Sequence, residues 1–520
     1  MNIKLYFNTL RYLKAKQINY RLYYALKKRL FRDKIEYKKK ESYSLELLPS
    51  IYMHKSYLGN KTFKFINITH KFESTIDWNY YKYGKLWTYN LNYFEFLNQK
   101  DFKKDIGLEL IYNYIDNLES LKDGLEPFTI SLRGLNWIKF LSFNNIKDSK
   151  IDTSLYAQYN LLLNNLEYHL LGNHLLENGF SLMFGAYYFR DNRFYIKAKE
   201  ILKKELNEQI LDDGAHFELS PMYHQLMLFR LLDVINLITL NRWNLDLEFL
   251  GYLKTKASLM VGFLKEVTFS SGEIALVNDS ALNIAPVTNE LIDYAKRLNI
   301  KPIKKELTCG YKMVKSRNYE LFIDTCDIKA SYIAGHTHSD LFNFLLNING
   351  KEFIVDSAIS TYEANRVRAY ERSSMAHNCV VIDGKDIDEV WGAFRVANRA
   401  KVIKRVLKDG YILARHSGYY KEFKTYIQRE FIYTDSKITI KDTLIGSKKE
   451  AKLYLHFASG VKLEIKNNVI LTDLGVKIKI LSYNKLKMKD CYYAKEFNLN
   501  IKSKCIEISF LNSTAMEIIL

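Results

Sequence analysis

The stretch GHTHSDLFNF, residues 335–344, sets His336 and His338 two positions apart, ahead of Asp340 and an alternating apolar run. On an extended strand, side chains at i and i+2 share a face, so both imidazoles would enter one site. Asp356 closes the next predicted strand, and His377 follows in RSSMAHNCVVIDG. Two histidines and a carboxylate supply three protein positions of a zinc site, with a fourth left for water. His336, His338, Asp356 and His377 offer one donor more than that, which frees one histidine for other work. Hydrogen-bonded interior histidines are the alternative reading.

A second set of candidates lies upstream. LLGNHLLENGFSL puts Asn173 and His174 at a predicted helix start, where asparagine also serves as a cap. In DDGAHFELSPMYHQLML, Ser220 and Pro221 read as N-cap and first helical residue. That places Tyr223 and His224 together in the first turn, where side chains reach past the helix end. In EPFTISLRGLNWIKF, Arg133 can grip a carboxylate bidentately or serve a structural ion pair, and Trp137 reads as core.

The elements that must carry these residues change period along the chain. Between about residues 100 and 300 the pattern is helical: Leu155, Tyr159, Leu162, Leu163, Leu166 and Leu170 follow the helical repeat, as do Leu228, Leu231, Leu232, Ile235 and Ile238. Many helices joined by short loops predict a bundle, solenoid or ring. After about residue 310 the period becomes two, and Asn349-Gly350 within LFNFLLNINGKEFIVD predicts a hairpin. Helices first and strands after give an α+β chain of separate domains, with the boundary in residues 297–312. The predicted units are a basic helical extension at 1–60, a helical domain at 61–305 and an antiparallel β domain at 306–520.

A chain of 520 residues exceeds one compact core, and 48% apolar residues exclude a disordered chain. Lys and Arg total 77 against 58 acids, a formal charge of +19, which favours nucleic acid, anionic lipid or acidic polysaccharide as partner. No basic-aromatic recognition motif supports nucleic acid. Five scattered cysteines without a CxxC argue against a disulfide framework or a cysteine zinc site. No apolar run reaches the roughly 18 residues of a membrane-spanning helix. The first 30 residues carry Lys and Arg but no acid, with Ile3, Phe7, Leu10, Leu22, Ala25 and Leu26 near helical spacing. Such a helix can lie on an anionic membrane or pack on the domain and solvate its basic face. The N-terminus lacks the uninterrupted apolar core of a secretion signal, so the expected location is cytoplasmic, at the inner membrane face.

Seven segments, in order, carry a resemblance: LWTYNLNYFEFL (86–97), EPFTISLRGLNWIKFL (126–141), GNHLLENGFSL (172–182), DGAHFELSPMYHQL (213–226), VNDSA (277–281), GHTHSDLFNFLLNINGKEFIVDSAISTY (335–362) and RSSMAHNCVVIDGKD (372–386). Together the chain resembles the heparinase II/III family of polysaccharide lyases. The resemblance implies an N-terminal (α/α) toroid, an incomplete helical barrel, followed by an antiparallel β-sandwich. It also implies β-elimination on a uronic acid polymer. In that scheme Asn173, with His174, neutralises the sugar carboxylate. Tyr223 is the general acid, with a part as base open, and His336 is the partner base, since imidazoles ordinarily titrate near about 6.5. Arg133, His224, Tyr362 and Arg372 would contact substrate, with Tyr370 a rival to Tyr362. A structural zinc would be held by His338, Asp356 and His377. The segment SAISTYEANRVRAYERSS keeps Tyr362 and Arg372 but drops the usual Gly-Thr start. A polymer-level uronyl C5-epimerase shares the first proton transfer, and a non-catalytic glycan-binding scaffold in polysaccharide assembly needs none of it.

Overall fold

Residues 3–30, 35–446 and 449–520 are described in the structure, a computed structural model. Helices α1 (Ile3–Leu10) and α2 (Ala15–Leu30) lead into a three-stranded meander, β1 (Tyr57–Gly59), β2 (Thr62–Phe65) and β3 (Ile68–Lys71). Nine helices follow: α3 (Lys85–Tyr93), α4 (Lys104–Asp116), α5 (Pro127–Phe143), α6 (Ser149–Asn164), α7 (Gly172–Phe189), α8 (Asn192–Gln209), α9 (Pro221–Leu240), α10 (Leu247–Glu266) and α11 (Thr288–Arg297). The meander is absent from the sequence reading, because strands of three and four residues are too short to show a period.

Burial sorts the helices into two layers. α5, α7 and α9 are buried almost all round, and α5 touches α7, which touches α9. α6, α8 and α10 back them as an outer layer, each against its inner neighbour. Tyr159 of α6 explains one close approach: a Cβ on Gly134 of α5 or Gly185 of α7 would sit 2.8 Å or 2.6 Å from its side chain. Glycine lets the ring lodge between both inner helices. The Ser220 cap expected from sequence forms, accepting from the Tyr223 amide at 3.2 Å, whereas Asn173 lies inside α7, whose start has no side-chain cap. The α6 pattern overran, however. The helix stops at Asn164, and Leu166 and Leu170 lie in the turn before α7, where Leu166 is still buried and so mimics the repeat.

Strands resume at Tyr311. One antiparallel sheet joins β4 (Tyr311–Lys315), β5 (Tyr319–Asp324), β6 (Phe344–Ile348) and β7 (Lys351–Ile354). The β6–β7 turn has Asn349 at φ 50° and Gly350 at φ 74°, the hairpin that Asn-Gly encodes. After it come α12 (Arg366–Glu371), β8 (Val380–Ile382) and a short ribbon of β9 (Val390–Trp391) with β10 (Arg395–Val396). An eight-stranded antiparallel sheet, with β11 (Val402–Lys408), β12 (Tyr411–His416), β13 (Tyr426–Tyr433) and β14 (Lys437–Ile445) at one side, packs on the smaller sheets through one shared core. Within that core Arg429 of β13 bonds both oxygens of Asp442, at 2.7 and 2.8 Å, and the carbonyls of Phe342 and Asn378, each at 2.6 Å. It thereby fixes the loops that bear His338 and His377. All five cysteines are free and buried.

Candidate active site

The two domains meet along α7, α9, the α10–α11 connection and the loops around β6. His336 and His338 do not lie on a strand as the spacing suggested; residues 335–340 form turns and loop. The loop is held by the α10–α11 connection: the Asp279 amide donates to His336 O at 3.0 Å, and the His338 amide to Asn278 Oδ1 at 2.9 Å. Both imidazoles then reach one carboxylate. His336 Nδ1 lies 2.8 Å from Asp279 Oδ2, and His338 Nε2 lies 2.8 Å from Asp279 Oδ1. Arg368 of α12 grips the same two oxygens at 2.5 and 2.8 Å. Burial alone would raise this carboxyl; Arg368 and the two histidines outweigh it and hold Asp279 well below the usual range. An ionised acceptor selects the N–H tautomer on the facing nitrogen, so His336 keeps its lone pair on Nε2 and His338 on Nδ1.

Tyr223, in the first turn of α9, stacks on His336 with centroids 3.9 Å apart. Its hydroxyl lies 3.1 Å from that of Tyr362. Burial pushes both phenols well up, so both are neutral at physiological pH. Tyr370 lies elsewhere, among Cys491, Cys505 and Tyr454. Tyr223 and Tyr362 open on a cavity of about 560 Å³ whose wall includes Lys55, Lys64, Glu177 and Arg230.

Asn173 and His174 occupy the first turn of α7, with Asn173 buried. His174 Nδ1 meets Glu167 Oε1 at 2.9 Å, and its side chain keeps 36% of its surface exposed. Burial would lower this imidazole; Glu167 outweighs that and raises it. Glu218, buried and pushed up by that burial, senses both His336 and His174 and links the two groups electrostatically.

Three expected substrate contacts are placed otherwise. Arg133 has no exposed surface and spends its donors on Gln158 Oε1 at 2.8 Å, Gly124 O at 2.9 Å and Asn92 O at 3.3 Å. Arg372 is buried on Thr337 O at 2.9 Å and Gly392 O at 3.2 Å. His224 is buried between the His216 amide at 3.3 Å and Met260 O at 2.9 Å. Each closes main-chain groups that have no water to meet. Cationic residues on the cavity wall come instead from Lys55 and Lys64 of the meander region, and from Arg230, which pairs with Glu95 at 2.8 Å.

The expected zinc ligands present a mixed picture. His377 Nδ1 donates to Asp356 Oδ2 at 2.7 Å, which leaves its lone pair on Nε2. His377 Nε2 and His338 Nδ1 are both buried without a partner, on rings 5.3 Å apart. Burial pushes His338 down to about 4, so its lone pair is available at neutral pH. Two carboxylate-backed imidazoles with free lone pairs suit a divalent cation. Asp356 is engaged as the acceptor for His377, and among the described residues no three such side chains already converge as a cage.

Asp279, Arg368 and Glu177 were missed as site residues. Asp279 stood within the quoted VNDSA, but its partners are 57 to 89 positions away. Glu177 lies one turn after Asn173 on α7, which was a usable signal.

Asp279→Asn strands the Arg368 charge in the interior, which should cost about 3–5 kcal/mol in urea unfolding; a loss below about 1 kcal/mol contradicts the hub. Glu177 is held at about 7 by burial, against the pull of Arg230, whereas an unfolded glutamate titrates near about 4.3. The fold favours its protonated form, so this contribution is full below the unfolded value and is lost as pH rises through about 7. Glu177→Gln should flatten that decline in unfolding midpoints; an unchanged slope contradicts the assignment.

Residues 135–308 match the family model described as heparinase II/III N-terminus, and residues 301–511 match heparinase II/III-like, C-terminal. A heparin-sulfate lyase of Bacteroides stercoris is 24% identical over 318 residues. That alignment covers 56% of this chain and 46% of the relative, so it spans less than half of the relative's length. Among solved structures, heparinase III superposes with a TM-score of 0.65 at 16% identity, over 86% of this chain and 80% of that one. A mutant heparan sulfate lyase from Pedobacter heparinus gives 0.59 at 16%, over 88% and 81%. A chondroitinase AC lyase gives 0.52 at 9%, over 86% and 77%. At these identities the likeness establishes the fold, a helical toroid followed by an antiparallel β-sandwich. The two family models together take in residues 135–511, most of the chain, and the protein belongs to the heparinase II/III family.

Proposed function

We propose that this chain is a polysaccharide lyase that cleaves a uronic-acid-containing glycan by β-elimination. The observation that carries the reading is the stack of Tyr223 on His336, 3.9 Å apart, with the Tyr362 hydroxyl 3.1 Å from that of Tyr223. His336 Nε2 takes the proton from C5 of the uronate. The C5 electron pair forms the C4–C5 double bond as the bond from C4 to its glycosidic oxygen breaks. Tyr223 gives its proton to that leaving oxygen. A phenol pushed up by burial is a poor source of phenolate, which assigns Tyr223 the acid's part and leaves the base's part to His336. Asn173 and the raised His174 neutralise the sugar carboxylate, without which the C5 proton is too weakly acidic to leave. Lys55 and Lys64 give the cavity cationic groups suited to a polyanion, while Arg230 is engaged by Glu95 and Glu177.

Elimination is favoured over epimerisation by one feature. Epimerisation needs proton acceptor and donor on opposite faces of C5, whereas Tyr223 and His336 stack against each other. Purified protein should raise the ultraviolet absorbance of unsaturated uronate with an acidic polysaccharide, and Tyr223→Phe and His336→Ala should each lower that rate by about 10²-fold or more. Solvent deuterium at C5 without new chain ends would replace the lyase by the epimerase.

In the same reading zinc is held by His338 and His377, with Asp356 as a ligand or as the acceptor that orients His377. Bound there, the metal serves as a structural cross-link between the two loops. The two unpartnered buried nitrogens support it. Metal analysis should find about one zinc per chain, lost in His377→Ala together with thermal stability. A zinc-free native protein of unchanged stability overturns this part.

A further inference from the structure

The two N-terminal helices carry their apolar residues on the side away from the body. In α2 the inward positions recur as Gln17, Tyr20, Tyr24 and Lys27. Gln17 Nε2 donates to Leu170 O at 2.9 Å, Tyr24 OH to Leu166 O at 2.5 Å, and Lys27 Nζ to Asn165 Oδ1 at 2.7 Å. The Tyr20 ring lies 4.7 Å from that of Tyr168. Facing outward at four-residue steps are Ile18, Leu22, Leu26 and Leu30. α1 repeats the arrangement. Its Asn8 is buried, Thr9 Oγ1 accepts from Trp391 Nε1 at 3.0 Å, and Tyr6 meets Trp391 edge to face with centroids 4.7 Å apart. Ile3, Phe7 and Leu10 point outward, and across both helices the outward row is 43% to 78% exposed. Scattered exposed aliphatics are ordinary, but a continuous row over two consecutive helices marks a surface that meets something apolar.

Charge identifies what it meets. Residues 1–30 hold five lysines, three arginines and no acid. Lys4, Arg11, Arg21, Lys28 and Arg29 are exposed. An aliphatic row flanked by exposed cations, on helices that carry no acid of their own, matches the boundary between acyl chains and anionic headgroups. Among the described residues no helix is long and apolar enough to cross a membrane, so the contact is interfacial. We propose that the outward face of α1 and α2 docks this protein on an anionic lipid surface.

The dock sits close to the cleft. The β9–β10 ribbon presents Trp391 to α1, while Phe394 lies 5.1 Å from the Tyr362 ring and 6.0 Å from His336. The ribbon thus connects the docking helix α1 to the Tyr362–His336 pair.

Sedimentation of the full chain with phosphatidylcholine vesicles, with and without phosphatidylglycerol, tests this. Partitioning should be about tenfold stronger or more on the anionic vesicles and should fall as salt rises. Leu22→Glu with Leu26→Glu should abolish it, and Lys28→Glu with Arg29→Glu should weaken it, with helical circular dichroism and turnover of a soluble glycan unchanged. Equal partitioning on both vesicle types, or none, overturns the proposal. So does a wild-type dimer that Leu22→Glu with Leu26→Glu converts to monomer without any vesicle binding, since the face would then belong to a second copy. Docking stands independently of the lyase reading: vesicle binding without turnover on any glycan removes the lyase and leaves the dock.

Discussion

A carboxylate with no exposed surface must be answered by its surroundings, and Asp279 is answered from across the domain boundary. It lies in the toroid's α10–α11 connection; Arg368, His336 and His338 come from the β domain. Desolvating one charge costs several kcal/mol, and only close cations and donors offset it. That requirement staples the domains together and settles the tautomers of two histidines at once. His336 then offers Nε2, and His338 turns Nδ1 away from Asp279 toward the second buried pair, His377 and Asp356.

Around that hub, low dielectric separates the roles of similar groups. Tyr223 and Tyr362 are both pushed up by burial, which keeps them as neutral phenols that still carry their protons. His338, at about 4, is a neutral lone-pair donor. His174 escapes the same fate because Glu167 stands 2.9 Å away. One physical effect, desolvation, is thus offset to a different degree at each position by the neighbouring charges. The cavity wall adds Lys55 and Lys64 from the region of a small meander whose Phe63 and Phe65 pack on Phe96 and Trp87 of the helical domain.

Much of the layout was legible in the chain. The switch of period, the Asn349-Gly350 turn and the Ser220-Pro221 cap are local signals, and each produced the element it implies. Juxtapositions between distant residues were not legible. His336 and His338 share a partner, but through a loop pinned by Asn278 and Asp279 rather than through a strand's alternation. Arg133 and Arg372 look like substrate clamps by type, yet both serve buried carbonyls, because a guanidinium's five donors suit crowded loops as well as carboxylates. The inverted faces of α1 and α2 were half visible: the apolar spacing could be read, but not that the body would take the polar side.

The central claim is that Asp279 holds the Nδ1–H of His336 and so frees Nε2 for the C5 proton. Nitrogen-15 shifts of the His336 imidazole at neutral pH test it most directly. The expected result is a protonated, pyrrole-like Nδ1 and an unprotonated Nε2, with that preference lost in Asp279→Asn. A proton resident on Nε2 in the wild-type protein would contradict it, since the nitrogen assigned as base would have no lone pair to offer.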